Sequence, residues 1–112
     1  MPSVAFCAPI IPGKEETDRQ GFEEVLGARR EEYDASRRRA GITREMVWHQ
    51  ETPDGTVAVV YLEADDIPAS MQAIATSDDP FDQWFRELLK EVHGMDLSEG
   101  GSPPELVLEA TF

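Results

Sequence analysis

Arg44 to Glu63 reads REMVWHQETPDGTVAVVYLE, and the fold turns on how this stretch is paired. Two β-rich runs flank Thr52-Pro53-Asp54-Gly55-Thr56. Proline sets φ at the first turn position, and glycine accepts the left-handed conformation of a three-residue hairpin loop with a bulge. Pairing Thr52 with Thr56 sets the expected register: Gln50 faces Ala58, Trp48 faces Val60 and Met46 faces Leu62. Side chains alternate along a strand, so these residues share an apolar face. Glu45, Val47, His49, Glu51, Val57, Val59, Tyr61 and Glu63 fall on the opposite face, which is mixed.

The rest of the chain frames this hairpin. Ser3 to Ile10 alternates as a first strand, stopped by Pro9 and Pro12, with a turn at Pro12-Gly13. Glu15 to Ala40 reads as one long helix ending at Gly41. Phe22, Val25, Leu26, Arg29, Tyr33, Ser36 and Ala40 recur at helical spacing as its buried stripe. Gly21 and Gly27 weaken it by about 1 kcal/mol each, so a bend is expected there. Arg29 lies in the stripe, with its stem packed and its guanidinium at an edge; holding a ligand carboxylate is the sharper reading. Asp66 caps a short helix with Pro68 in its first turn. Asp79 caps a second, with Pro80 at its first position and His93-Gly94 at its end. Phe81, Trp84, Phe85, Leu88, Leu89 and Val92 make the strongest apolar stripe. Ser98 to Pro104 is a surface loop, and Glu105 to Phe112 (ELVLEATF) alternates as a closing strand.

A strand, a long helix, a hairpin, a helix pair and a strand make a ferredoxin-like βαββαβ sandwich, an α+β fold with an antiparallel sheet and helices on one face. At 112 residues the chain is expected to be one domain, 1–112. The mixed hairpin face is more apolar than a monomer leaves in water. Packing two such faces together produces a dimeric α/β barrel, so a homodimer is expected.

Charge and composition narrow the partners. Net charge is −13; residues 1–44 carry 8 basic and 8 acidic groups, and residues 45–112 carry 2 and 15. This balance argues against nucleic acid and anionic membrane. Arg37-Arg38-Arg39 suits a helix C-terminus. The lone Cys7 permits no intrachain disulfide and is expected to be a small buried hydrophobe. No apolar run approaches the roughly 20 residues of a membrane span, and the start lacks a signal-peptide pattern. A cytoplasmic setting is expected.

The runs MVWHQETPDGTVAVVYLEADD and SDDPFDQWFRELLKEVHGMDL, with PGKEE before the first helix, resemble a family of small bacterial proteins of unknown function. That family is assigned to the dimeric α/β barrel group. The resemblance spans nearly the whole chain and implies fold and dimerisation, not activity.

No dinucleotide, phosphate-loop, HExxH, GxSxG or paired-cysteine motif is present. Asp78, Asp79 and Asp82 form an acidic cluster, but capping accounts for the last two, so no metal site and no cofactor are assigned. The candidate ligand-binding residues are His49, Tyr61 and Glu63, polar groups expected together among valines of the barrel interior. Glu45 and Glu63 are expected opposite each other, an arrangement that places both at a wet strand end or protonates one. Three functions follow: a barrel binding a small apolar molecule; a cofactor-independent monooxygenase-, isomerase- or lyase-type enzyme on such a molecule; or a structural dimer with a packed interior.

Overall fold

The computed structural model describes residues 2–99 and 103–112. Three strands, β1 (Ser3–Pro9), β2 (Ile42–Thr52) and β3 (Gly55–Ala64), form an antiparallel sheet in the order β1-β3-β2. The helices are α1 (Glu15–Leu26), α2 (Arg30–Ala40), α3 (Ile67–Thr76) and α4 (Pro80–His93), and a 3-10 turn covers Leu97–Glu99. The fold is thus α+β, with a three-stranded sheet among the described residues.

Local chemistry sets most of the element ends. The Asp66 carboxylate accepts from the Ala69 N–H, and Asp79 accepts from Phe81 N–H at 2.9 Å, each with proline in the first turn. Gly41 and Gly94 end α2 and α4 with φ of 79° and 67°, the left-handed region that glycine enters without a Cβ penalty.

The long helix expected over Glu15 to Ala40 is two helices. Residues 27–29 form turns, and the Gly27 and Arg29 N–H groups both reach the Glu24 carbonyl. Leu26, at the end of α1, is consequently exposed instead of lying on one continuous stripe. Gly21 has a packing role: a Cβ there would meet Leu88 Cδ2 at 2.6 Å, so its absence lets α1 approach α4.

The hairpin register differs by one residue from the expected one. Thr52 pairs with Gly55, leaving Pro53 and Asp54 as a two-residue turn. The Thr52 hydroxyl donates to the Gly55 carbonyl at 2.7 Å and accepts from the Asp54 N–H at 3.2 Å, which closes the tighter loop. Gly55 has the expected positive φ, 126°, but inside the ladder. A second irregularity lies between Ile42 and Arg44 at the other end of β2.

The slip leaves β3 facing as expected and turns β2 over. Val4, Phe6, Ala8, Val60 and Leu62 face the helices, joined by Glu45, Val47 and His49 in place of Met46 and Trp48. The main core gathers Val25, Ile42, Leu62, Ile74, Phe81 and Phe85. Ile10, Ala58, Leu88 and Val92 make a second cluster, with Trp84 half-buried against both.

Two further expectations are corrected. Cys7 is exposed, because its place on β1 turns it away from the helices. Glu105 to Phe112 forms no strand: residues 103–112 have no regular structure and are exposed. Alternation marks a strand candidate but supplies no partner, and the pairing decides. The loop expected at Ser98 to Pro104 lies partly outside the described residues.

Candidate functional site

The sheet face without helices is the first candidate. Val57, Val59, Tyr61 and Glu63 of β3 run along its middle, between Cys7 of β1 and Trp48 and Met46 of β2. Trp48 is 48% exposed; Val57, Val59, Tyr61 and Met46 are half-buried. Tyr61 Oη donates to Glu63 Oε2 at 3.0 Å, and Arg44 Nη1 stands 3.8 Å from the same oxygen. A carboxylate held between a phenol and a guanidinium at the end of an apolar strip is a polar anchor beside apolar walls.

The structure brings Tyr61 and Glu63 together and separates His49 from both. His49 lies under the helices, where Nε2 donates to Asp18 Oδ2 at 2.7 Å. Asp18 belongs to the first turn of α1 and is fully buried; its Oδ1 has no hydrogen-bond partner among the described residues. The other ring nitrogen, Nδ1, points away from this bond. A groove of about 310 Å³ adjoins the ring, lined by Arg19, Phe22, Glu23, Leu26, Val47 and His49.

The slip also removes the expected clash of carboxylates. Glu45 faces Leu62 and turns inward, while Glu63 faces Arg44 and turns outward. Glu45 Oε1 accepts from Arg37 Nε at 2.8 Å and from Tyr33 Oη at 2.6 Å. Arg37 is buried, not a surface member of a basic helix end. Its guanidinium stacks over Phe85 and Tyr33 and donates from Nη1 to Ser36 Oγ at 3.0 Å. Ser36 in turn bonds buried Asp82, which Arg39 Nη2 reaches at 3.1 Å. Burial and the adjacent Glu45 carboxylate push the Tyr33 phenol far above its ordinary range, overcoming Arg37. Burial opposes ionisation of Asp82, but hydrogen bonds from Ser36, Ser77 and Arg39 with the Arg39 charge hold it below the usual aspartate value. Joined by these hydrogen bonds, the groups act as interior ties, although Arg37 Nη2 has no hydrogen-bond partner among the described residues.

Arg29 pairs with Glu24 and Glu32 and stacks on Trp84 at 4.5 Å, so its guanidinium is engaged within the chain. His93 Nδ1 donates to the Pro9 carbonyl at 2.8 Å, linking the end of α4 to β1. Among the described residues no group of three His, Cys, Asp or Glu side chains is arranged to hold a metal, and no helix is long and apolar enough to cross a membrane. Asp18 and Trp48 were missed as site residues. For Asp18 a signal existed: it precedes Phe22 and Val25 by four and seven residues, on the buried face of its helix.

These features define a small α+β protein whose sheet is covered by helices on one side and presents an apolar strip with a polar anchor on the other. The chain belongs to the family of unknown function DUF6176, whose model matches residues 3–111. No curated protein and no solved structure matches it.

Proposed function

We propose that the protein is a homodimer of ferredoxin-like units packed through their bare sheet faces, a dimeric α/β barrel, and that it holds a small apolar molecule between them. One observation carries the reading: Trp48, Val57, Val59 and Tyr61 form an apolar strip that ends on the Tyr61–Glu63 hydrogen bond. The β1-β3-β2 order with helices on the opposite side supports the architecture. Apolar walls enclosing a few polar groups suit a small molecule with one hydrogen-bonding end. The Glu63 carboxylate accepts from that end, and the Tyr61 hydroxyl, whose proton goes to Glu63, offers its oxygen as an acceptor beside it.

Native mass spectrometry of freshly purified protein tests both parts at once. A dimer carrying additional small-molecule mass is expected, with the dimer lost in Val59→Asp and the bound mass lost in Tyr61→Phe. A monomeric parent removes the barrel; a dimer that carries no added mass and binds no apolar probe such as 1-anilinonaphthalene-8-sulfonate leaves a structural dimer.

The Asp18–His49 pair favours a second reading, a proton-transfer enzyme of isomerase or lyase type. A buried carboxylate orients the imidazole, and the ring adjoins a groove with Arg19 at its rim. Deuterium incorporation from D2O into a panel of enolisable carbonyl compounds tests it. Incorporation by the parent that disappears in His49→Gln supports proton transfer; equal incorporation in both proteins removes His49 from any chemistry.

A further inference from the structure

We propose that residues 105–112 of one copy add as a fourth strand to the free edge of β1 in a second copy, reciprocally. The inference rests on the homodimer of the preceding reading and goes beyond it by naming the element that ties the copies together.

The segment has a strand's sequence and no strand's partner. Leu106, Leu108, Ala110 and Phe112 alternate with Glu105, Val107, Glu109 and Thr111. Leu106 is 73%, Val107 85% and Leu108 80% exposed, and Phe112 is fully exposed. A monomer gains nothing by presenting three aliphatic side chains and a phenylalanine to water on one arm.

An unoccupied site for such a strand exists in the same molecule. β1 pairs with β3 along one edge, and among the described residues no strand lies on its other edge. Edge strands are normally protected by charged side chains that discourage further pairing. β1 reads SVAFCAP, with no charged residue; at its end Pro9 lacks an N–H and its carbonyl accepts from His93, while Ser3 to Cys7 have no such cover among the contacts of the described residues. The other edge of the sheet, β2, carries Arg44, Glu45 and Glu51. Adding the arm there with its leucines toward the helices would set them beside Glu45 and Glu51, which face that side, and burying a carboxylate under apolar side chains is costly. The uncharged edge of β1 has no such conflict.

The faces also match. Val4, Phe6 and Ala8 of β1 point to the helix layer, and Val4 and Phe6 are only half-buried there. An added strand that turns Leu106, Leu108 and Phe112 to the same side extends the core over them. Each phenylalanine covers roughly 150–250 Å². Two reciprocal arms with their leucines therefore approach the roughly 1,000 Å² that a specific interface needs. Within one chain, among the described residues, neither the arm nor the edge has a strand partner; a two-fold exchange satisfies both with one repeated contact.

Cys7, the only cysteine, is exposed on β1 and serves as a built-in probe. In the proposed pairing Glu105, Val107 and Glu109 lie on the Cys7 side of the sheet. Glu105→Cys, Val107→Cys and Glu109→Cys therefore sample three registers, at exposed positions where substitution leaves the fold intact. A disulfide requires Cα atoms within about 7 Å, so only a close neighbour reacts cleanly. After mild oxidation at micromolar protein, at least one variant is expected to run mainly as a covalent dimer without reductant. Peptide mapping should join Cys7 to the introduced thiol. A disulfide within one chain shows the arm folding onto its own β1 and overturns the exchange. So does the absence of any bond to Cys7 in all three variants. Light scattering on the parent separates the two ideas: a monomer removes the homodimer and the exchange together, whereas a dimer lacking the Cys7 linkage removes the exchange alone.

Discussion

Under the helices, the sheet holds Glu45 and His49 against Arg37, Tyr33 and Asp18; on the other side of the same strands, Trp48, Val57, Val59 and Tyr61 meet no helix. The covered face therefore carries charged groups beside its apolar core, and the bare face carries an apolar strip, unlike an ordinary one-layer sandwich whose open face is polar. The interior tolerates its charges because each has a partner of opposite sign or a hydrogen bond within reach. The exterior has no comparable compensation for its apolar strip. The difference teaches that the helices complete one face only, and that the other gains stability from whatever covers it.

The largest expected effect is on the covered face. Glu45→Ala leaves Arg37 buried without its carboxylate and should cost about 3–5 kcal/mol in urea denaturation. Glu63→Ala, on the bare face, removes a more exposed pair with Arg44 and should cost at most about 1 kcal/mol. Equal losses would break the comparison. Replacing the inner pair by apolar residues, Arg37→Met with Glu45→Leu, should be much milder than Glu45→Ala alone, because no charge is left stranded.

Leu88→Ala should cost about 2–5 kcal/mol, since Leu88 is buried and fills the space beside Gly21. Gly21→Ala should destabilise by about 1–3 kcal/mol through overpacking against Leu88. Combined, the two should be clearly less damaging than their sum, because the shortened side chain makes room for the new methyl group. Additive losses would mean that α1 does not rest on Leu88.

The smallest effects are in pH dependence, and they concern the covered face. Asp82 has a folded pKa below its unfolded value, so its contribution is present above about pH 4 and is lost as pH falls through the folded value. Ser36→Ala should weaken this acid limb. Tyr33 has a folded pKa above its unfolded value, so its contribution is intact below about pH 10 and declines as pH rises further. Tyr33→Phe should flatten that alkaline decline, measured by denaturant midpoints across pH.

The sequence by itself determined the elements that local rules specify. Asp66 with Pro68, and Asp79 with Pro80, start α3 and α4; Gly41 and Gly94 stop α2 and α4; Pro53-Asp54-Gly55 places the hairpin turn. Each depends on a few neighbouring residues, so each is visible without the rest of the chain. Only the tertiary structure decided the hairpin phase. Both faces of β2 and β3 contain apolar residues, so a two-residue period fits either register equally well. The choice came from the Thr52–Gly55 bond at one end and from Arg37 and Asp18, distant in sequence, which draw Glu45 and His49 inward. The same reason separates His49 from Tyr61 and Glu63, and leaves Glu105 to Phe112 a strand in pattern alone: alternation is local, whereas pairing requires a second edge.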